Sequence, residues 1–209
     1  MKIQQKLKQL FKRYGLCSRK PYIRQKSRQF ADWYIYEYKK TTRPENDPER
    51  LALEPYCLTG VGLDIGCGSH KTTPNCIGVD ITDKGDFGQA GNQEFEESQA
   101  DFKMNGDNLH MFNDKHFDFV IARHNLEHYI DYLKALQEWK RVLKCGGTLG
   151  IICPDEDCID TIHLDNTHKH VFTRESLERA INLIGGFRII KNEVCVKDWS
   201  FVIVAKKER

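Results

Sequence analysis

VGLDIGCGSHKTTPNCIGVD, residues 61–80, decides how the rest of the chain is read. Val61, Leu63 and Ile65 make a short apolar strand that runs into the turn Asp64-Ile65-Gly66-Cys67-Gly68. Cys76, Ile77 and Val79 make a second strand, which ends in a carboxylate, Asp80. Two buried parallel strands joined by a glycine turn form a nucleotide-type site. Gly66 and Gly68 lack a Cβ, so a ligand can lie against the main chain. A carboxylate at the end of the second strand can accept hydrogen bonds from two ribose hydroxyls.

The dinucleotide fingerprint asks for a third glycine where Lys71 stands, so a pyrophosphate is not the favoured ligand. An adenosyl ligand without phosphate fits better. A second stretch, residues 117–153, supports that choice. Phe117, Phe119, Val120, Ile121 and Ala122 form a strand-length apolar run. After Asp131, Leu133, Leu136, Trp139 or Lys140, Val142 and Leu143 recur at helical spacing. Cys145-Gly146-Gly147 is expected to end that helix, because glycine suits a left-handed cap. Leu149–Cys153 is the next buried strand.

Together these motifs resemble the class I S-adenosylmethionine-dependent methyltransferases, in the broad group acting on small molecules, sugars, lipids and natural products. Their first motif is an acidic residue followed by hydrophobic-Gly-x-Gly. Their later phrases match Phe117-Asp118-Phe119-Val120, Leu126-Glu127-His128 and Arg141-Val142-Leu143-Lys144-Cys145-Gly146-Gly147, with Cys145 in place of the usual proline. The resemblance spans roughly residues 58–205. It implies an α/β, Rossmann-like seven-stranded, mostly parallel sheet with flanking helices. By that resemblance Asp64, Gly66, Cys67 and Gly68 meet the methionine end of S-adenosylmethionine, and Asp80 and Ile81 meet the adenosine. The third strand is expected at Ala100–Met104. The turn after it, Asn105-Gly106-Asp107, is the expected adenine contact, with Asp101 second and a helix cap as another role for Asp107.

The acceptor side is less defined. Ligands of open parallel sheets sit outside the carboxyl ends of the strands, which places His124 and Asn125 beside the methyl donor. Glu127 and His128 read as loop-orienting residues. Pro154–His170 follows the fifth strand and is rich in Asp and His. Its spacing matches no standard metal-ligand pattern, so no metal is expected. A His-x-His segment before a Thr-x-Glu-x-Leu helix start recurs in the resembling proteins, and it makes His168 and His170 substrate-loop residues. A hydroxyl acceptor would require a general base. The candidates are His124, His168, His170 and Asp155, without an order among them.

Composition sets the remaining bounds. The chain has 209 residues, enough for one core and an appendage, expected as residues 56–209 and 1–55. Residues 1–43 balance to +11 and the rest to −9. Ile3, Leu7, Leu10 or Phe11, and Tyr14 share one helical face, which predicts a basic amphipathic helix. Such a helix caps the core, contacts an anionic membrane surface or clamps an anionic substrate. Thr41–Pro55, with three prolines, reads as a linker. The eight cysteines contain no CxxC pair, and the first fifteen residues are charged where a secretory signal is apolar. Both point to the cytoplasm, with membrane-peripheral contact through the basic helix as a variant.

The expected activity is methyl transfer to a small-molecule, sugar or lipid-linked glycan acceptor. The alternative is a non-catalytic binding or regulatory protein on the same fold, which intact Asp64, Gly66, Gly68 and Asp80 argue against. A nicotinamide-dependent oxidoreductase lacks its third glycine. A nucleic-acid methyltransferase lacks a reading helix, a zinc motif and an Asn-Pro-Pro-aromatic motif.

Overall fold

The computed structural model describes residues 46–74, 76–88 and 96–209. The basic amphipathic helix expected near the N-terminus lies outside these residues. Seven strands form one sheet: β1 (Gly62–Ile65), β2 (Cys76–Asp80), β3 (Phe102–Lys103), β4 (Phe117–Arg123), β5 (Leu143–Pro154), β6 (Phe187–Val196) and β7 (Ser200–Lys207). Their order is β3-β2-β1-β4-β5-β7-β6. β1 to β5 run parallel, and β7 is antiparallel to both β5 and β6. The fold is the Rossmann-like sheet that the motifs predict.

Strand alternation divides the core between the two faces. Val120 and Ala122 of β4 join Leu63, Ile65 and Val79 on one face. Phe119 and Ile121 join Leu53, Ile152, Val202 and Val204 on the other. The first face is covered by α2 (Tyr132–Val142) and α4 (Arg174–Ile184), while the short α3 (Thr161–Leu164) lies in the loop after β5. Asp131 caps α2 through the Lys134 N–H, and Ala135, Leu136, Trp139 and Val142 are its buried stripe. Thr173 and Ser176 close a capping box at the start of α4.

Three expectations need correction. Residues 48–55 are not linker. Pro48–Leu53 forms α1, capped by Asp47, and buries Leu53 against the sheet. Pro48 stands at the first helical position, where a missing N–H costs nothing. The glycine pair does not cap α2 either. That helix ends at Val142, and Leu143 already pairs with Phe117 in the sheet. Gly146, at φ +78°, shapes the irregular stretch of β5 between Leu143 and Thr148. The third strand is also shorter than Ala100–Met104. Among the described residues no helix is long and apolar enough to cross a membrane.

Candidate functional site

At the carboxyl ends of β1 and β2 the chain binds itself through main-chain donors. Gly66, at φ +66°, donates its N–H to Val79 O at 2.8 Å, and Cys67 N–H reaches the same oxygen at 3.3 Å. Gly68, at φ +56°, donates to Asp80 Oδ2 at 3.1 Å. Thr82 N–H donates to Asp80 Oδ1 at 2.9 Å. The Asp80 carboxylate thus locks the glycine turn to the end of β2. Beside it, Ile81 leaves 68% of its surface exposed, an apolar face next to an acid.

Asp64 is 1% exposed. Its Oδ2 accepts from Thr72 N–H at 2.6 Å, while its buried Oδ1 has no hydrogen-bond partner among the described residues. Burial raises its pKa against the pull of nearby Arg123. Cys67 is buried beneath the turn, where a Cβ on Gly78 would come within 2.8 Å of its Sγ. It therefore offers main chain rather than thiol to a ligand.

The turn after β3 is tied to α2. Gly106 O accepts from Trp139 Nε1 at 2.9 Å, and a Cβ on Gly106 would lie 2.2 Å from the Tyr129 hydroxyl. Asn105 Oδ1 accepts from Asp107 N–H at 3.4 Å. Asp107 Oδ2 pairs with Lys134 Nζ at 3.2 Å, and no helix begins at Asp107 for it to cap. Asp101 holds the Gly78 N–H at 2.8 Å and pairs with Lys71. Burial works against its charge, but those partners hold its pKa below the usual carboxylate range. It is a clip on β2.

The ends of β4 and β5 are built from side chains instead. His124 sits at φ +48°, a conformation rare for a residue with a Cβ. Its Nε2 lies 2.8 Å from Glu49 Oε1. A carboxylate only accepts, so the network assigns a proton to Nε2. Trp199 Nε1 and Ser200 Oγ donate to the same Glu49 oxygen at 3.0 and 2.6 Å. Glu49 is 1% exposed. The sequence reading missed it, because its partners stand 75 to 151 residues away. Asn125 joins the two halves of the site. Its Oδ1 accepts from the Tyr129 hydroxyl at 2.7 Å, and a Cβ on Gly66 would lie 2.1 Å from its Nδ2.

Glu127 and His128 form a short 3-10 turn with Leu126. Glu127 O accepts from Lys169 and His170 N–H at 2.8 and 3.1 Å, which docks the loop after β5 onto the loop after β4. His168 Nδ1 donates to Thr161 O at 2.9 Å. Burial holds the His168 pKa below the ordinary imidazole range. His170 Nε2 donates to Ile130 O at 2.9 Å, with Tyr132 against its ring. Asp155 accepts from Asp157 N–H at 3.2 Å, and its own N–H donates to Trp199 O at 2.9 Å. Burial raises the Asp155 pKa. The structure therefore brings His124, Asn125 and Gly66 together, and His168 with Glu127 and His128. His170 and Asp155 have separate partners.

Residues 63–151 match the family model described as a methyltransferase domain. No curated protein sequence matches the chain. Among solved structures, a SAM-dependent methyltransferase from Archaeoglobus fulgidus is 20% identical, with TM-score 0.61, over 84% of this chain and 99% of that one. One from Thermotoga maritima is 18% identical, with TM-score 0.60, over 85% and 98%. A chain from the complex of the Haloferax volcanii Trm112 methyltransferase activator with a methyltransferase is 12% identical, with TM-score 0.59, over 86% and 98%.

Proposed function

We propose that this chain is a class I S-adenosylmethionine-dependent methyltransferase and that its acceptor is a small molecule, a sugar or a lipid-linked glycan intermediate. One observation carries the reading. The Gly66–Gly68 turn is locked to Asp80 on one side of Asn125, and His124 is held by buried Glu49 on the other.

The residues fit the cofactor. Asp64 keeps one buried oxygen without a partner, Asp80 stands at the end of β2, and Ile81 lies open beside it. In this reading Asp64, Gly66, Cys67 and Gly68 hold the methionine end. Asp80 accepts from the ribose, Ile81 covers the adenine, and Asn105, Gly106 and Asp107 bound its edge. The bound cofactor supplies an already activated methyl group on a sulfonium. What remains for the protein is to orient an acceptor and to exclude water.

His124 is the acceptor-facing residue of this proposal. Glu49 fixes its Nε2–H and leaves the basic lone pair on Nδ1. His168, His170 and Asp155 shape the acceptor loop, each held by a backbone partner. A cytoplasmic setting suits the seven described cysteines, all of them free thiols.

Calorimetric titration of the full chain with S-adenosylmethionine and its demethylated product tests the cofactor half. Micromolar binding that Asp80→Ala weakens is the expected result. Absence of binding to either compound by the folded protein would move the reading to a non-catalytic module.

A further inference from the structure

Glu127 is 1% exposed, and neither of its carboxylate oxygens has a nitrogen or oxygen hydrogen-bond donor among the described residues. The buried thiol of Cys153 faces this carboxylate as its one hydrogen-bonding neighbour among the described residues, and a thiol is a weak donor that leaves most of the charge uncompensated. An ionised carboxylate left this way costs several kcal/mol, so something must compensate it.

Two imidazole nitrogens face Glu127 Oε1: His124 Nδ1 at 3.8 Å and His168 Nε2 at 3.9 Å. Both are beyond hydrogen-bond range. The protons of these rings are committed elsewhere. His124 Nε2–H goes to Glu49, and His168 Nδ1–H goes to Thr161 O. His128 follows the same logic. Its Nδ1 lies 3.0 Å from Thr167 Oγ1, and the Thr167 hydroxyl donates to Asp165 Oδ1 at 2.6 Å. The imidazole must therefore supply the proton of its own contact, which leaves the Nε2 lone pair open. Lone pairs turned towards an anion repel it, and a cation among them reverses the sign. Metal-bound histidines are oriented in this manner, with the second ring nitrogen donating to a carbonyl or to a carboxylate relay.

We propose that Glu127, His128 and His168 bind a divalent transition-metal ion of the zinc type. One ligand atom from each lies within 4.8 Å of the other two. Ligands about 2.1 Å from a tetrahedral ion lie about 3.4 Å apart, so loading draws the Thr167–His168 loop inward by roughly an ångström. Two imidazoles and one carboxylate favour zinc, cobalt or iron over magnesium or calcium. Three protein ligands leave a coordination position for water or an acceptor oxygen. Because Glu127 Oε1 also faces His124, that position borders the acceptor side. This last role rests on the methyl-transfer reading, whereas ion binding does not.

The test uses untagged full-length protein stripped with a chelator and titrated with Co²⁺ alone, without cofactor or acceptor. The expected result is one equivalent bound, with visible cobalt absorption that Zn²⁺ abolishes. Glu127→Gln and His168→Asn should each weaken binding at least tenfold. His163→Asn, in the same segment but outside the cluster, should bind as the parent does. Circular dichroism checks that each variant is folded. If Glu127→Gln does not fold, the half-buried position serves, and folded His128→Asn should lose the cobalt spectrum. Absence of saturable Co²⁺ binding by the parent would overturn the proposal. So would parental affinity in folded His128→Asn and His168→Asn.

Discussion

At the ends of β1 and β2 the site is made of main chain. At the ends of β4 and β5 it is made of side chains. The first half uses N–H groups of Gly66, Gly68, Thr72 and Thr82, closed onto Val79, Asp64 and Asp80 within eighteen residues or so of one another. The second uses Glu49, His124, Trp199 and Ser200, gathered from across 151 residues. A main-chain site depends on where glycine allows the backbone to turn, so it is written locally. A side-chain site depends on which elements the fold happens to bring together.

The largest expected effect falls on the side-chain half. Glu49→Ala removes the shared acceptor of His124, Trp199 and Ser200 and should destabilise the protein by about 3–5 kcal/mol in urea unfolding. Glu49→Gln keeps an acceptor oxygen and should cost clearly less. A cost near zero for Glu49→Ala would mean that the side-chain half does not hang on this carboxylate. Next comes the seam between the halves. Gly66→Ala forces a Cβ against Asn125 at a positive φ and should cost about 1–3 kcal/mol. Adding Asn125→Ala should recover part of that loss. Strict additivity in the double mutant would show that the halves are not coupled there.

Asp80→Ala should leave the side-chain half untouched and weaken S-adenosylmethionine binding by about 1–3 kcal/mol, read by calorimetry. An equal loss of stability would instead make Asp80 a structural clip like Asp101. The smallest effect is at Asp155. Burial raises its pKa above 3.8, so the folded state favours the neutral acid. The resulting contribution is complete below the unfolded pKa and is lost as pH rises through the folded one. Asp155→Asn should therefore stabilise the protein slightly at pH 7, with the gain fading as pH falls towards the ordinary carboxylate range. A gain that persists in acid would point to packing rather than charge.

The sequence disclosed what local rules encode. The β1 turn, Asp80 at its strand end, the Thr173 cap and the alternation of β4 each depend on residues within a few positions. The errors have physical causes. Asp47-Pro48 is both a linker composition and a helix start, and only packing of Leu53 on the sheet decides between them. A glycine pair after an apolar helix serves a cap or an irregular strand equally well, since Gly146 at φ +78° satisfies either. Glu127, His128 and His168 carry no shared spacing because two separate loops bring them together. His168 and His170, one residue apart in a single motif, end on different partners, Thr161 and Ile130.

The long reach between Glu49 and Ser200 also sets an order of assembly. A chain grows from its N-terminus, and domains acquire structure as their segments emerge. Asp64, Gly66 and Asp80 are all made before β4 exists to flank them. Glu49 can meet His124 once β4 is made, but gains its other two donors, Trp199 and Ser200, only near the end of the chain. The side-chain half is thus completed last, and a chain that stops short of β7 has Gly66 against Asn125 but lacks two of the three donors named on Glu49.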